Sequence, residues 1–505
     1  MNVENKKIAR NTIILYARLV ITTLIGLVSS RFVLQVLGAS DYGLYNVVGA
    51  IIVMFSFLTA SLNATTTRFI NYEQGKENGD VNVVFNKSLI IHALFSVLTF
   101  VILESLGVFY ISNFLNVDIG KEGDAMFVFQ VSTIISCLSI ITIPYQSLFI
   151  VNEDFATLAI IDIVGAFVKL LLVIFLFCYQ GNALRFYSAG MAFVMLSIML
   201  LSVYVSKRKW PMVTKRKIVG DICSYKEMLS FNNYSLLSAA SLIIRNQGSN
   251  ILINFFFGTV VNAAYAIAFT VQNYIVTFVG NFDSASAPQI TQNIGRGEMN
   301  RTIFLTTNTC RICVLLTELL LFPILIELDF ILGLWLGDNI PDGTILFCKC
   351  TLLVALVSAT SGGLTQLISG TGRIKWFSLQ YTFLYVLALF FGYVLFKLGY
   401  PPYVIILLYA IADVLSRINQ LFLLKKIIDF DVINFLRTAY VRPCFVLVSG
   451  LVYYVICEHV KFNSAISHCL NLGLSTLFLI AMVLIFGLSC EEKKVIVKSL
   501  KKLIL

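Results

Sequence analysis

About fourteen apolar stretches, each long enough to cross a bilayer, fill this 505-residue chain almost end to end. A spanning helix needs about 20 mainly apolar residues. Hydrocarbon offers no partner to exposed backbone N–H and C=O groups, so each stretch has to satisfy its own backbone as a helix. The spans fall at roughly 10–36, 43–66, 88–114, 126–151, 155–178, 183–205, 230–256, 260–282, 302–331, 345–369, 375–397, 402–423, 441–459 and 466–489. Charge is nearly confined to the gaps between them. Charged residues make up 13% of the chain, against about 25% in soluble domains. The expected fold is all-α and integral to the membrane. No gap is long enough to hold a soluble domain, and no glycine-rich phosphate loop, HExxH or Gly-x-Ser-x-Gly motif is present.

Lysine and arginine alternate from gap to gap. One set of gaps carries Lys6, Lys7 and Arg10, then Arg68, Lys76 and Lys87, then Lys207 to Lys226, Arg296 and Arg301, Arg373 and Lys375, Lys425 to Arg442, and Lys493 to Lys502. The other set holds little beyond Lys121, Arg185, Lys397 and Lys461. The positive-inside asymmetry places both termini in the cytoplasm and predicts an even number of spans. The net charge of +10 is then mostly a cytoplasmic rim facing anionic lipid, and nucleic acid is not needed to explain it. The basic start is followed by an apolar run too long for a signal peptide, so it reads as a retained first helix. The tail Glu491 to Leu505 has apolar residues at helical spacing with lysines between them, the pattern of a helix lying on the inner leaflet. The cysteines lie mostly inside spans, as small apolar residues. Cys348-Lys-Cys350 and three scattered histidines make no metal site, and no cofactor is implied.

The longest basic gap, 206–229, contains Ser206-Lys-Arg-Lys-Trp210 and Pro211. It divides the chain into an N-terminal bundle at 1–205, a cytoplasmic linker at 206–229, a C-terminal bundle at 230–423, and two further helices with a basic tail at 424–505. A weak internal repeat agrees. Leu37-Gly38-Ala-Ser-Asp-Tyr-Gly-Leu-Tyr45 leads into the second span, and Phe257-Gly258-Thr-Val-Val-Asn-Ala-Ala-Tyr265 into the eighth. Gly and Tyr keep their spacing at an offset of 220 residues. Repeated halves with a site near the midplane are a mark of transporters. No selectivity filter, acidic ring or regular arginine array points to a channel or a voltage sensor.

These segments resemble the polysaccharide transporter family, the O-antigen (Wzx-type) lipid-linked oligosaccharide flippases of the multidrug/oligosaccharidyl-lipid/polysaccharide exporter superfamily. The resemblance runs over essentially the whole chain. It is carried by Asn11-Thr12, by Arg31-Phe-Val-Leu-Gln-Val-Leu-Gly-Ala-Ser-Asp-Tyr-Gly-Leu-Tyr45, by Asn63-Ala-Thr-Thr-Thr-Arg68-Phe, by Tyr225-Lys-Glu-Met-Leu-Ser-Phe231 and by Gly258 to Tyr265. It implies two six-helix bundles around a central cation-lined cavity, with two C-terminal helices added. It also implies alternating access that turns a polyprenyl-pyrophosphate-linked glycan from the inner to the outer leaflet of the bacterial plasma membrane. A polysaccharide polymerase and glycosyltransferases would be the partners.

Ionisable groups inside spans cost about 2.5–3.5 kcal/mol at the bilayer centre on insertion scales, so they face a cavity, a partner or the interface. Arg18, Lys169, Arg245 and Arg311 lie deepest and are the candidate headgroup cations. Lys169 has Asp162 seven positions before it, and Arg311 has Glu318 seven after, so each has a local neutralising alternative. Arg245 has no acid within a turn on its own helix. Arg31 and Arg68 lie near span ends, where interface anchoring is the default, but the family places arginines of the first two helices in the cavity. Asp413 and Arg417 have the i, i+4 spacing of an intrahelical pair. Asp162 and Asp413 are the candidate coupling carboxylates. Gln272 and Asn273 are candidate sugar contacts, with interhelix packing as their alternative. Glu104, Glu327 and Asp329 lie towards span ends, in reach of water.

A pyrophosphate diester carries about two negative charges, and arginine forks suit its oxygens. No bond is made or broken in flipping, so no catalytic group is expected. An organic-cation exporter would need a buried carboxylate, and the first span has Arg18 and Arg31 in its place. A peptidoglycan-precursor flippase shares the anionic headgroup. A membrane scaffold for glycan synthesis would find the cavity cations dispensable.

Overall fold

The computed structural model describes residues 3–113, 120–217, 223–337, 340–459, 464–489 and 492–493. Among them there is no strand. The helices are α1 Val3–Val53, α2 Ser56–Gly75, α3 Val81–Ile102, α4 Val108–Asn113, α5 Glu122–Val151, α6 Phe155–Leu176, α7 Ala183–Lys209, α8 Pro211–Thr214, α9 Cys223–Gly295, α10 Met299–Ile326, α11 Leu328–Leu336, α12 Thr344–Ala359, α13 Leu364–Gly370, α14 Lys375–Lys397, α15 Val404–Ile428, α16 Val432–Glu458 and α17 Ala465–Met482. One π-helical turn, Leu103–Gly107, joins α3 to α4, and another, Val483–Gly487, ends α17. Several helices start on a side-chain cap. Asp80, Asp154, Asn182, Asp431 and Ser464 each accept a backbone N–H of the first turn, which satisfies a group the helix cannot.

The chain is a multi-pass membrane protein. Eleven helices among the described residues are long and apolar enough to span, or twelve if the bent pair α12–α13 is one span. The expectation of fourteen differs at two places. Residues 225–295 form one helical run of 71 residues, about 107 Å at 1.5 Å per residue, more than three hydrocarbon thicknesses. It is broken at Gly258, where φ is +82°. The second expected span is divided between the end of α1, beyond a break at Gly38 with φ +73°, and α2. Both glycines of the repeat therefore stand in a left-handed conformation that other residues disfavour. The repeat is a repeated helix break.

The chain divides into two compact units, Lys7–Ala239 and Ala240–Leu505, the second taking Met1–Lys6 as well. Each buries polar groups alongside its apolar core and also turns many large apolar side chains outward. On α6, Ile160 is 61% and Phe175 68% exposed, which suits lipid contact.

In the first unit the polar segment Asn63 to Arg68 fastens α2 to its neighbours. Ser61 Oγ and Thr65 Oγ1 both donate to Asn232 Oδ1 at 3.2 Å. Thr66 Oγ1 lies 2.8 Å from His92 Nε2, whose Nδ1 is 2.7 Å from the Ile140 carbonyl. Thr67 donates to Ser147 and Ser147 to Asn63. Asn11 donates to Glu153 Oε2 at 3.2 Å, and Lys7 pairs with the same carboxylate at 3.5 Å. Glu153 sits at φ +54° in the turn between α5 and α6, so Asn11 holds α1 onto a tight turn. In hydrocarbon such bonds hold helices together where the hydrophobic effect cannot. Small residues do the rest: a Cβ on Gly165 would come 2.4 Å from Ile198, and one on Gly190 2.3 Å from Leu172.

The basic stretch 206–229 is helical and fastened over much of its described length. Trp210 packs edge-on to Phe149 at 5.2 Å. Asn82 Nδ2 donates to the carbonyls of Met212, Val213 and Lys215, and Asn86 Nδ2 also reaches Lys215. Lys217 pairs with Asp80 at 2.9 Å. That ammonium, with the Val83 amide, holds the Asp80 carboxyl below the usual carboxylate range. Residues 218–222 lie outside the described residues. Met228 then joins the core formed by Leu62, Ile91, Ile140 and Ile143.

In the second unit α16 and α17 pack against α10. A Cβ on Gly450 would come 2.4 Å from the Phe322 ring. Glu327 is buried, not wet as its place near a span end implies. It accepts from Asn471 and lies 2.7 Å from His468 Nδ1. The amphipathic tail falls almost wholly outside the described residues, which include only Glu492 and Lys493 of it.

Candidate functional site

The second unit builds a cation into an aromatic cage. Arg245 of α9 is part-buried, with its guanidinium carbon 5.4 Å from the Tyr385 ring centre and 5.0 Å from that of Tyr409. Such faces attract cations. Its hydrogen bond among the described residues is a long one, 3.4 Å from Nη1 to Tyr385 Oη. Tyr385 donates in turn to Asp413 Oδ1 at 2.5 Å, and Ser358 donates to Asp413 Oδ2 at 3.1 Å. Ser249 donates to Tyr409 Oη at 3.0 Å and Ser241 to Thr382 Oγ1 at 2.7 Å, fixing α9 against α14 and α15. Helical spacing explains the assembly. Tyr381 and Tyr385 share one face of α14, Tyr409 and Asp413 one face of α15, and both stripes meet Arg245. The guanidinium is held by rings and a single weak bond, so its remaining donors are uncommitted.

Asp413 does not pair with Arg417, contrary to the i, i+4 expectation. Its oxygens are taken by Tyr385 and Ser358, and Arg417 donates to Gln420 Oε1 at 2.6 Å. The tyrosine of the neighbouring helix reaches the carboxylate directly, which frees Arg417 for the next turn.

In the first unit Arg18 pairs with Asp162 at 2.9 Å, joining α1 to α6. The expected neutralisation of Asp162 by Lys169 is replaced by this pair. Lys169 lies two turns further along the same face, about 10 Å away by helical rise. It is part-buried and makes no ion pair among the described residues. Arg31 is exposed.

Two other arginines are engaged elsewhere. Arg68 is 7% exposed and lies over the rings of Phe69, Tyr72 and Phe231 at 4.3, 4.9 and 5.4 Å, with Glu227 at 3.9 Å. It fastens the start of α9 to α2. Arg311 is buried, donates to Asn308 at 2.9 Å and pairs with Glu492, not with Glu318. Gln272 is buried and Asn273 exposed, two neighbours about 100° apart around the helix.

Sequence reasoning missed the tyrosine cage, although the paired i, i+4 stripes carried its signal. Glu318, expected as a local partner of Arg311, is instead 1% exposed with its Oε2 unpartnered. A buried polar atom left without a partner costs about 1–3 kcal/mol. Glu318→Leu is therefore expected to raise the melting temperature of the purified protein, with Glu318→Gln near neutral. A fall on leucine substitution would show that Glu318 has a partner in the membrane. Among the described residues no three His, Cys, Asp or Glu side chains cluster as metal ligands would.

A family described as "Polysaccharide biosynthesis protein" matches residues 8–294, more than half of the chain. The chain belongs to that family. No curated protein matches it. Solved transporters share the fold of this polysaccharide biosynthesis protein. A structure titled as MATE in the straight conformation superposes with a TM-score of 0.71 at 14% identity, covering 90% of this chain and 97% of that one. An outward-facing multidrug resistance MATE family transporter of the MOP superfamily gives 0.67 at 14% identity, with the same coverage. A MOP superfamily transporter from Pyrococcus furiosus, titled for the reverse polarity of its binding pocket, gives 0.70 at 14% identity over 90% of this chain and 97% of that one. At such identities the likeness is one of fold. It is the fold of membrane transporters.

Proposed function

We propose that this protein is a flippase. It carries a polyprenyl-pyrophosphate-linked oligosaccharide from the inner to the outer leaflet of the bacterial plasma membrane by alternating access, for surface polysaccharide synthesis, with both termini cytoplasmic. The observation that carries the reading is Arg245: a deep guanidinium held by two tyrosine rings, with one 3.4 Å hydrogen bond and its other donors uncommitted. Arginine forks bind phosphate oxygens at two points. The family match supplies the polysaccharide context. The sugar needs only a wet polar chamber, and the prenyl tail stays in lipid.

An organic-cation exporter would need an open carboxylate. Both expected ones are engaged, Asp162 by Arg18 and Asp413 by Tyr385 and Ser358, and Asp283 accepts from the Gly363 amide and Gln366. Binding to the purified protein separates the two readings. A short polyprenyl pyrophosphate is expected to bind at least about tenfold more tightly than the monophosphate, the worth of one further charge-assisted bond of about 1.5–3 kcal/mol. Tighter binding of a lipophilic organic cation than of either phosphate would favour the exporter and overturn the proposal.

A further inference from the structure

The pair α12–α13 is one apolar run bent by 45° at residues 360–363. The break is tightly specified. Gly363 stands at φ +73°. A Cβ on Gly362 would meet Cys313 Sγ at 2.6 Å, and one on Gly363 the Thr306 carbonyl oxygen at 3.0 Å. Backbone groups freed by the break are taken by side chains from three other helices. Tyr440 of α16 donates to the Thr360 carbonyl at 2.7 Å, and the Cys310 thiol of α10 to the Gly362 carbonyl. The Gly363 amide donates to Asp283 Oδ1 of α9 at 2.8 Å, and Gln366 Nε2 to Oδ2 at 3.4 Å.

Of the three side chains, only the Asp283 carboxylate loses its charge by taking up a proton. It differs from the other deep acids. Asp162 is tied to Arg18, and Asp413 is enclosed by Tyr385 and Ser358 beside Arg245. Glu318 is sealed at 1% exposure. Asp283 is part-buried, and both of its oxygens meet neutral donors. Among the described residues no cation pairs with it, so protonation breaks no ion pair. The titratable groups around it are Cys310 and Cys313 of α10 and, beyond Cys310, Tyr440 of α16 and Arg417 of α15.

We propose that Asp283 is a proton-binding latch on this broken span. Ionised, it grips the Gly363 amide and holds the bend. Protonated, it gives up a charge-assisted bond about twice as strong as a neutral one, and the two pieces are free to change their angle. Irregular backbone at membrane depth survives only where protein or a cavity satisfies it, so the latch controls whether this break persists. What the movement accomplishes rests on the transporter reading; the latch itself does not.

Cys310 reports the latch directly, because it is buried against the break. In a protein whose only cysteine is Cys310, the Asp283→Asn variant mimics the protonated state. Compared at equal thiolate fraction, read from each protein's rate–pH profile, its alkylation by a small maleimide is expected to run about fivefold faster than in the parent, equivalent to about 1 kcal/mol. Asp283→Ala should show at least the same gain, and Glu318→Gln no change. Acidification of the parent should also raise an infrared band of protonated carboxyl that Asp283→Asn lacks. Equal labelling of parent and Asp283→Asn, or a band unchanged by that substitution, overturns the latch. Neither readout needs a glycan. A protein that shows both effects yet moves no lipid-linked glycan would contradict the proposed function and leave the latch standing.

Discussion

Arg245→Ala is expected to lower export of lipid-linked oligosaccharide by at least about a hundredfold, while the protein still inserts at normal abundance. The headgroup would lose two charge-assisted hydrogen bonds, each worth about 1.5–3 kcal/mol, or at least two decades together. Insertion should survive because Arg245 makes no ion pair among the described residues. Tyr385 and Tyr409 stay anchored without it, through Asp413 and Ser249. Arg245→Lys should recover part of the activity, since the charge remains and the planar fork is lost. Surface polysaccharide, measured beside membrane abundance, checks the series. Full function in Arg245→Ala would remove the residue from the site. Loss of abundance in step with export would make it a scaffold.

A second large effect is expected from the membrane potential. The cell interior is electrically negative, so outward movement of an anionic headgroup runs downhill. Each charge gains about 2.3 kcal/mol per 100 mV across the full field. A pyrophosphate diester with two charges gains about 4–5 kcal/mol, more than a thousandfold in equilibrium, if the protein's cations stay in place as it moves. Arg245 and Arg18 are well placed to stay, the first inside its tyrosine cage and the second bound to Asp162. The latch at Asp283 would then set when the cycle turns, while the potential sets its direction.

The parts of this fold legible in the sequence are those fixed by local pattern. Apolar length gave the helices, and the Gly38 and Gly258 repeat marked two breaks that only a residue tolerant of positive φ sustains. The polar motifs were visible as motifs, and Asn11 and Thr66 prove to be fasteners between helices. Charge partners were not legible. Spacing along one helix offers only neighbours three, four or seven residues away. Asp162 instead found Arg18, 144 residues distant, and Arg311 found Glu492, 181 residues distant. Which helix packs on which decides those pairs. Asp283 was hidden for another reason. Hydropathy ends the eighth span at residue 282, but the helix runs on to Gly295. Apolar pattern alone therefore leaves the acid that grips the broken span outside the span.

Reconstitution tests the central claim most directly. Purified protein is placed in vesicles with a fluorescent polyprenyl-pyrophosphate-linked oligosaccharide, and a potassium-diffusion potential is imposed without a proton or sodium gradient. Movement of the glycan lipid toward the positive side should be faster than at zero potential and should reverse with the sign of the field. It should nearly vanish in Arg245→Ala. Movement indifferent to the potential but accelerated by an imposed ion gradient would contradict electrophoretic driving and put antiport in its place. No movement of the glycan lipid under any gradient, in vesicles where the folded protein is present, would contradict the flippase reading itself.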